Sequence, residues 1–287
     1  MHIRFFMFLV LMTSNTILSQ EFNASAKYNY TMFYNQNSES IYRQKAAADL
    51  STGSWKYGID LESYTIDYQM SAPFNSDAMD KVFSLQGLIS YKKAIGQKWD
   101  VGLSFAPRLI WMTSQNAGLN NIIPEGSFSL TRKYGSQNLS SFSIGVSYST
   151  VFGKPAILPL LSYQTSIRKF SIRAGIPETV LSYNLTPEHS FSAWGRASSF
   201  YASSNGNNYF SLNGTEQRVT ALEWVDISAG LGYKYKSHTG WDTTLSVGKT
   251  VYNKLELSGY GDNDLDTGIG KSLSVSLNFI YKLNFKK

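Results

Sequence analysis

Lys271-Ser272-Leu273-Ser274-Val275-Ser276-Leu277-Asn278-Phe279-Ile280-Tyr281-Lys282-Leu283-Asn284-Phe285 alternates along its whole length. Leu273, Val275, Leu277, Phe279, Tyr281, Leu283 and Phe285 share one face. Ser272, Ser274, Ser276, Asn278, Lys282 and Asn284 share the other, with Ile280 the one apolar residue among them. Strand side chains repeat with a period of two, so this is a strand with an apolar and a polar face. Its fifteen positions exceed the about 5–6 residues of an ordinary soluble strand. Left at an open sheet edge, such a strand would template aggregation in water. A closed barrel in a bilayer removes the conflict, because lipid covers the apolar face and neighbours pair both edges.

The rest of the chain agrees. Among 287 residues there is no cysteine, and 26 Lys and Arg against 20 Asp and Glu give a net charge of +6. That excess is too dilute for a nucleic-acid surface, so no nucleic-acid partner is expected. Aromatics make up 15%, with 19 tyrosines, and charged residues only 16%. Interfacial aromatics and a polar lumen call for such a composition. The mean hydropathy of −0.21 fits alternating strands, which average a greasy and a polar face.

The N-terminus reads as an export signal, residues 1–19, with the barrel occupying 20–287. His2 and Arg4 precede the apolar run from Phe5 to Met12, and Ser19 is placed for cleavage. The run is shorter than the about 20 residues of a membrane-spanning helix. Removing residues 1–19 takes away the charge of Arg4, leaving about +5. The absence of cysteine excludes a lipid anchor and disulfides.

Alternating segments recur throughout, among them Ala26 to Tyr34, Val82 to Tyr91, Asp100 to Phe105, Phe142 to Ser149, Val219 to Tyr235 and Leu245 to Val251. Two kinds of connector separate them. Ser51-Thr52-Gly53-Ser54, Gly96-Gln97-Lys98, Gly135-Ser136-Gln137-Asn138, Arg168-Lys169, Thr186-Pro187-Glu188-His189 and Ser237-His238-Thr239-Gly240 are short. Stretches near 69–80, 112–124, 203–216 and 253–269 are longer. Outer-membrane barrels place short turns in the periplasm and long loops outside. The fold predicted is an all-β, transmembrane, antiparallel up-and-down barrel of 14 strands. The alternative is 12, if Phe170–Ile176 and Val180–Leu185, separated by Pro177-Glu178-Thr179, do not span. A soluble sandwich would explain the alternation and the turns. It would not explain them together with the long final strand, the signal and the two alternating kinds of connector.

Aromatics cluster at strand ends. Trp55, Trp99, Trp241, Phe170, Tyr91, Tyr233 and Tyr235 flank the short turns, and Tyr34, Trp111, Phe152, Tyr201 and Tyr252 flank the loops. Amphipathic rings suit the headgroup level, so two girdles are predicted.

Leu158-Pro159-Leu160-Leu161-Ser162-Tyr163, Phe170 to Pro177, Leu181-Ser182-Tyr183-Asn184-Leu185 and Gly230-Leu231-Gly232-Tyr233-Lys234-Tyr235 resemble a family of uncharacterised outer-membrane β-barrels common in Bacteroidetes-type bacteria. The resemblance implies the cell outer membrane as location and brings no activity or catalytic residue. It also implies recognition by barrel-assembly machinery of an aromatic-ended last strand, here Leu283 and Phe285 followed by Lys286 and Lys287.

Chemistry is sparse. His2 leaves with the signal, and His189 and His238 fall in short turns. A lipid-hydrolysing barrel needs its Ser/His pair at the outer leaflet, so no enzyme, catalytic residue or cofactor is expected. Asp262, Asp264 and Asp266 alternate before Gly268. A calcium loop needs Gly directly after the third acidic position and a later Glu, whereas Thr267 intervenes here. A solvated acidic loop is the preferred reading, and a divalent cation bridging to lipopolysaccharide the alternative. Arg132, Arg173, Arg196, Lys234, Glu62 and Asp100 are candidates for the lumen. Ile122, Ile123 and Pro124 are placed in a loop that folds inward as a constriction. The chain is thus expected to be a monomeric barrel in contact with membrane lipid and lipopolysaccharide. Two functions stand side by side: passage or binding of small solutes or hydrophobic ligands, or a structural or surface-interaction barrel with a packed lumen.

Overall fold

The structure, a computed structural model, describes residues 22–35, 40–68, 76–113, 117–135, 139–204, 208–212, 215–259, 264–267 and 270–285. The expected signal, residues 1–19, lies outside them.

In chain order the strands are β1 (Phe22–Tyr34), β2 (Ser40–Thr52), β3 (Trp55–Asp67), β4 (Lys81–Ala94), β5 (Trp99–Met112), β6 (Ile122–Tyr134), β7 (Ser140–Ser149), β8 (Ala156–Ile167), β9 (Phe170–Gly175), β10 (Glu178–Asn184), β11 (His189–Ser203), β12 (Tyr209–Leu212), β13 (Thr215–Arg218), β14 (Ala221–Lys236), β15 (Trp241–Ser258), β16 (Asp264–Asp266) and β17 (Leu273–Phe285). Fourteen of them, β1 to β11 with β14, β15 and β17, pair antiparallel into a closed wall. β12 and β13 form a separate hairpin, and β16 adds to the end of β15. Closure is the pairing of β1 with β17, in register from Phe22 opposite Phe285 to Tyr34 opposite Leu273.

The fourteen-strand count includes β9 and β10, which are short but paired on both sides. Only Ile176-Pro177 turns between them, because Glu178 and Thr179 already belong to β10. Four short turns hold a glycine at left-handed φ, Gly53, Gly96, Gly135 and Gly240 (56° to 89°). Without a Cβ these positions reverse the chain at no steric cost.

The outer face of the wall is apolar. Ile59, Leu61, Leu103, Phe105, Ile144, Val146, Leu231, Leu245 and Val247 are each close to half exposed or more. At the short-turn end, rings on neighbouring strands touch: Trp55 and Tyr91 at 4.7 Å, Phe170 and Tyr183 at 4.9 Å, Trp241 and Tyr281 at 4.5 Å. Arg132 belongs to this girdle, not to the lumen as expected. It pairs opposite the outward Trp99, and its guanidinium lies 5.5 Å from the Trp99 ring and 5.1 Å from that of Tyr134.

At the loop end the wall is filled. Phe33, Ile41, Tyr64, Ile66, Val82, Ile110, Met112, Phe200, Leu222, Trp224, Leu255 and Leu257 pack inward as one buried cluster. Met79 joins from the β3–β4 connection, and Phe210 and Val219 from the β11–β14 connection. Two expectations are corrected here. Ile122-Ile123-Pro124 is not a loop but the start of β6, and only Ile123 turns inward, into the cluster. Val219 does not share the outer face of β14; it precedes that strand and is buried.

Candidate functional site

The inward positions below the apolar cluster carry a dense set of charges. Nearest the short turns is a collar made of one motif used three times. Asp49 on β2 meets Lys27 on β1 and Lys56 on β3 (3.2 Å). Asp100 on β5 meets Lys92 on β4 (3.3 Å) and Lys133 on β6 (2.9 Å). Asp242 on β15 meets Lys234 on β14 (2.9 Å) and Lys282 on β17 (2.6 Å). In each case the aspartate sits on the middle strand and its lysines lie diagonally across, two positions from its direct partners. Diagonal neighbours are within reach of long side chains. Three strand spacings separate β15 from β2, and three more separate β2 from β5, about 14 Å each at ~4.8 Å per strand. Each cluster holds two cations and one anion, so the collar is positive.

Above the collar, Arg43 contacts Glu62 (3.0 Å), Lys45 contacts Glu62 (2.8 Å) and Asp60, Arg108 contacts Glu125 (3.5 Å), and Arg173 contacts Glu178. Arg196 differs. It is the one lumen-facing arginine among the described residues with no carboxylate in contact. Its direct partner across the ladder is Glu178, whose carboxylate is already taken by Arg173. Arg196 instead stacks on the Trp194 ring at 4.4 Å. Trp194 fits because Gly230 and Gly248 face it: a Cβ on either would come within 2.7 Å of the indole. Trp194, Arg196, Arg43 and Lys45 line a cavity of about 320 Å³ whose other walls are mainly hydroxyls and amides, among them Asn29, Ser246 and Asn278.

One part of the wall is low. The β9–β10 hairpin ends at Ile176-Pro177, where the Pro177 carbonyl accepts from the Ala197 N–H (3.0 Å), so Ala156 to Leu160 of β8 and Ser198 to Ser203 of β11 stand above it without a paired strand on that side. Residues 150–155 span this gap. The Thr150 carbonyl accepts from the Ser199 hydroxyl, and Lys154 reaches Glu256 (3.9 Å) and Asp264 (3.7 Å). A second cavity of about 230 Å³ lies beside the gap, with Leu158, Leu160, Ile176 and Pro177 on one side and Ser104, Ser127 and Ser147 on the other.

Of the residues proposed for the lumen, Arg173, Arg196, Lys234, Glu62 and Asp100 do face it, and Arg132 does not. His189 opens β11, where its Nδ1 meets the Tyr233 hydroxyl at 2.6 Å, and His238 lies 3.7 Å from Glu188. In that turn the Thr186 hydroxyl donates to Glu188 (3.0 Å) and, with a backbone bond, holds its carboxyl below the usual carboxylate range. Asp262 lies outside the described residues. Asp264 and Asp266 lie on β16, and no group of three metal-ligating side chains occurs among the described residues. The three-fold collar was open to discovery in the sequence only as inward Lys and Asp residues; its geometry needs the register.

The sequence profile of a family described as Domain of unknown function (DUF6268) matches residues 52–266. The chain belongs to this family. No curated protein matches the DUF6268 chain. Among solved structures, it is similar to the KdgM porin in complex with disordered oligogalacturonate (9% identity, 90% of this chain and 98% of that one, TM-score 0.38). It is also similar to an outer-membrane channel from Pseudomonas putida F1 (8%, 92% and 96%, TM-score 0.41) and to the toluene transporter TbuX of Ralstonia pickettii (11%, 93% and 90%, TM-score 0.37).

Proposed function

We propose that this DUF6268 barrel sits in the cell outer membrane, exported by residues 1–19, with its short turns in the periplasm. There it admits small solutes into the polar lumen and passes them when the outer seal opens. An apolar exterior above an aromatic girdle at the short-turn end supports the membrane placement, since lipid is the solvent that matches it. The observation that carries the function is the polar, charged cavity of about 320 Å³ inside a closed wall. A barrel built only for structure has no need to keep arginines and lysines around an open space, where each must be paired or solvated. The seal is completed by Phe210 and Val219, which belong to the β11–β14 connection and not to the wall. The β12–β13 hairpin pairs apart from the wall, so displacing Phe210 and Val219 would break no bond of the wall's ladder.

Planar-bilayer recording tests this. Wild-type protein is expected to give rare, brief openings, and Phe210→Ala with Val219→Ala frequent, long ones. Heat-modifiable gel mobility checks that the variant is folded. Silence from both folded proteins would sink the channel reading and leave the second one, a structural barrel, for which the packed outer end speaks.

A further inference from the structure

We infer that the lumen cavity is a binding site for a small hydroxylated carboxylate, held by Arg196. The inference rests on the solute-admitting reading above and names the class of solute.

Three observations converge on the site. First, the cavity is cationic where it matters. Arg43 and Lys45 line it with their charges held by Glu62 and Asp60, and its one lining carboxylate, Glu178, is engaged by Arg173, so the charge left over is that of Arg196. The other acid near Arg196 is Asp226, fully buried, accepting from the hydroxyls of Ser228 and Thr250 (2.7 Å). It does not line the cavity. Second, donors are left over. The Nε groups of Arg196 and Arg43 and the indole Nε1 of Trp194 are buried without a partner, as is the Nε of Arg108 outside this cavity. A buried donor left unpaired is costly, and a guanidinium offers a planar fork suited to a carboxylate. Third, Arg196 is held ready. Stacking on Trp194, itself fixed against two glycines, fixes the guanidinium before any anion arrives, which lowers the ordering cost of binding.

Asn29, Asn278, Ser192, Ser246, Ser276 and Thr244 make up the remaining polar wall. Hydroxyl and amide groups both donate and accept, so they match a ligand carrying hydroxyls. The positive collar lies just beneath, since Asp242 precedes the lining residue Thr244 by one inward step on β15. A positive mouth of this kind concentrates anions at the entrance.

Titration calorimetry of the full chain in detergent, with D-gluconate and its neutral counterpart D-sorbitol as probes, tests the site. Gluconate is expected to bind and sorbitol to give no heat. Arg196→Gln is expected to weaken gluconate by about tenfold or more, the loss of a charge-assisted hydrogen bond. Trp194→Phe, which keeps a ring and removes the N–H, is expected to weaken it by a smaller factor. Arg132→Gln, on the outer girdle and away from the lumen, serves as control and is expected to leave affinity unchanged. Equal heats from gluconate and sorbitol, or an unchanged affinity in folded Arg196→Gln, would overturn the site. Binding is read without conductance, so a silent bilayer with intact gluconate binding would refute the channel and leave the site standing.

Discussion

Glu125 holds Thr150 twice: its Oε1 accepts the Thr150 backbone N–H at 3.0 Å and the Thr150 hydroxyl at 2.6 Å. Its Oε2 accepts from Gln86 at 2.8 Å and faces Arg108 at 3.5 Å. One buried carboxylate on β6 therefore fixes, from inside the lumen, the start of the segment that fills the gap between β8 and β11. Glu125→Ala leaves a buried N–H and hydroxyl without their acceptor, at a cost of about 1–3 kcal/mol. The segment 150–155 should then loosen, and chymotrypsin should cut after the half-exposed Phe152 several times faster than in wild type. An unchanged cleavage rate would show that Ser199 and Lys154 hold the segment without Glu125.

Trp224 is the centre of the outer seal. Its ring meets Phe33 edge-on at 5.0 Å and lies 5.8 Å from both Tyr64 and Phe200, while its Nε1 donates to Asn253 at 2.9 Å. Trp224→Ala removes the largest fully buried side chain and is expected to cost roughly 3–5 kcal/mol, as for other aromatic-to-alanine changes in packed cores. Reversible urea unfolding in lipid vesicles measures it. A loss below about 1 kcal/mol would mean that the seal collapses around the gap.

The collar yields a test of independence. Asp49→Asn, Asp100→Asn and Asp242→Asn each leave two lysines facing one another, and each should lower stability by up to about 1 kcal/mol, the scale of partly exposed ion pairs. The three sites lie three strands or more apart, so the triple variant should equal the sum of the singles to within about 0.5 kcal/mol. The losses should shrink as salt is raised, because exposed charges are screened. Non-additive losses would show coupling around the barrel rim.

The wall was legible in the sequence because alternation, turn glycines and end-clustered aromatics are local signals. Leu273 to Leu283 carry their face assignment in their order alone. The seal was less legible. Ile123 and Val219 read as loop or outer face because burial here comes from distant strands and connections meeting at one end, which periodicity does not encode. Arg132 shows the same limit. Its charge suggested the lumen, yet its parity on β6 puts it outside, where Trp99 and Tyr134 offer ring faces to a cation. The gap above Ile176-Pro177 could be anticipated from two short segments. What fills it, Thr150 to Pro155, could not, since only the register places Ser199 and Glu125 on either side. Likewise Arg196 stood among the candidates as one charge of several, and its lack of a carboxylate follows from Arg173 claiming Glu178.

The seat of Trp194 separates packing from charge at the lumen site. A Cβ at Gly248 would lie 2.5 Å from the far edge of the indole and 2.8 Å from the Ser274 hydroxyl. The indole is 9% exposed and hemmed in, so Gly248→Ala must displace it and with it the stacking that fixes Arg196. The expected result is a stability loss of about 1–3 kcal/mol from overpacking, together with weaker gluconate binding, although no charged or donor group has been changed. Gly87→Ala is the matching control on β4, because a Cβ there meets nothing within 4 Å. It should leave gluconate affinity unchanged and stability equal or slightly higher, since alanine costs less chain entropy in a strand. Urea unfolding and calorimetry on the same preparations read both quantities. Unaltered gluconate affinity in a folded but destabilised Gly248→Ala would show that Arg196 keeps its orientation without the ring beneath it.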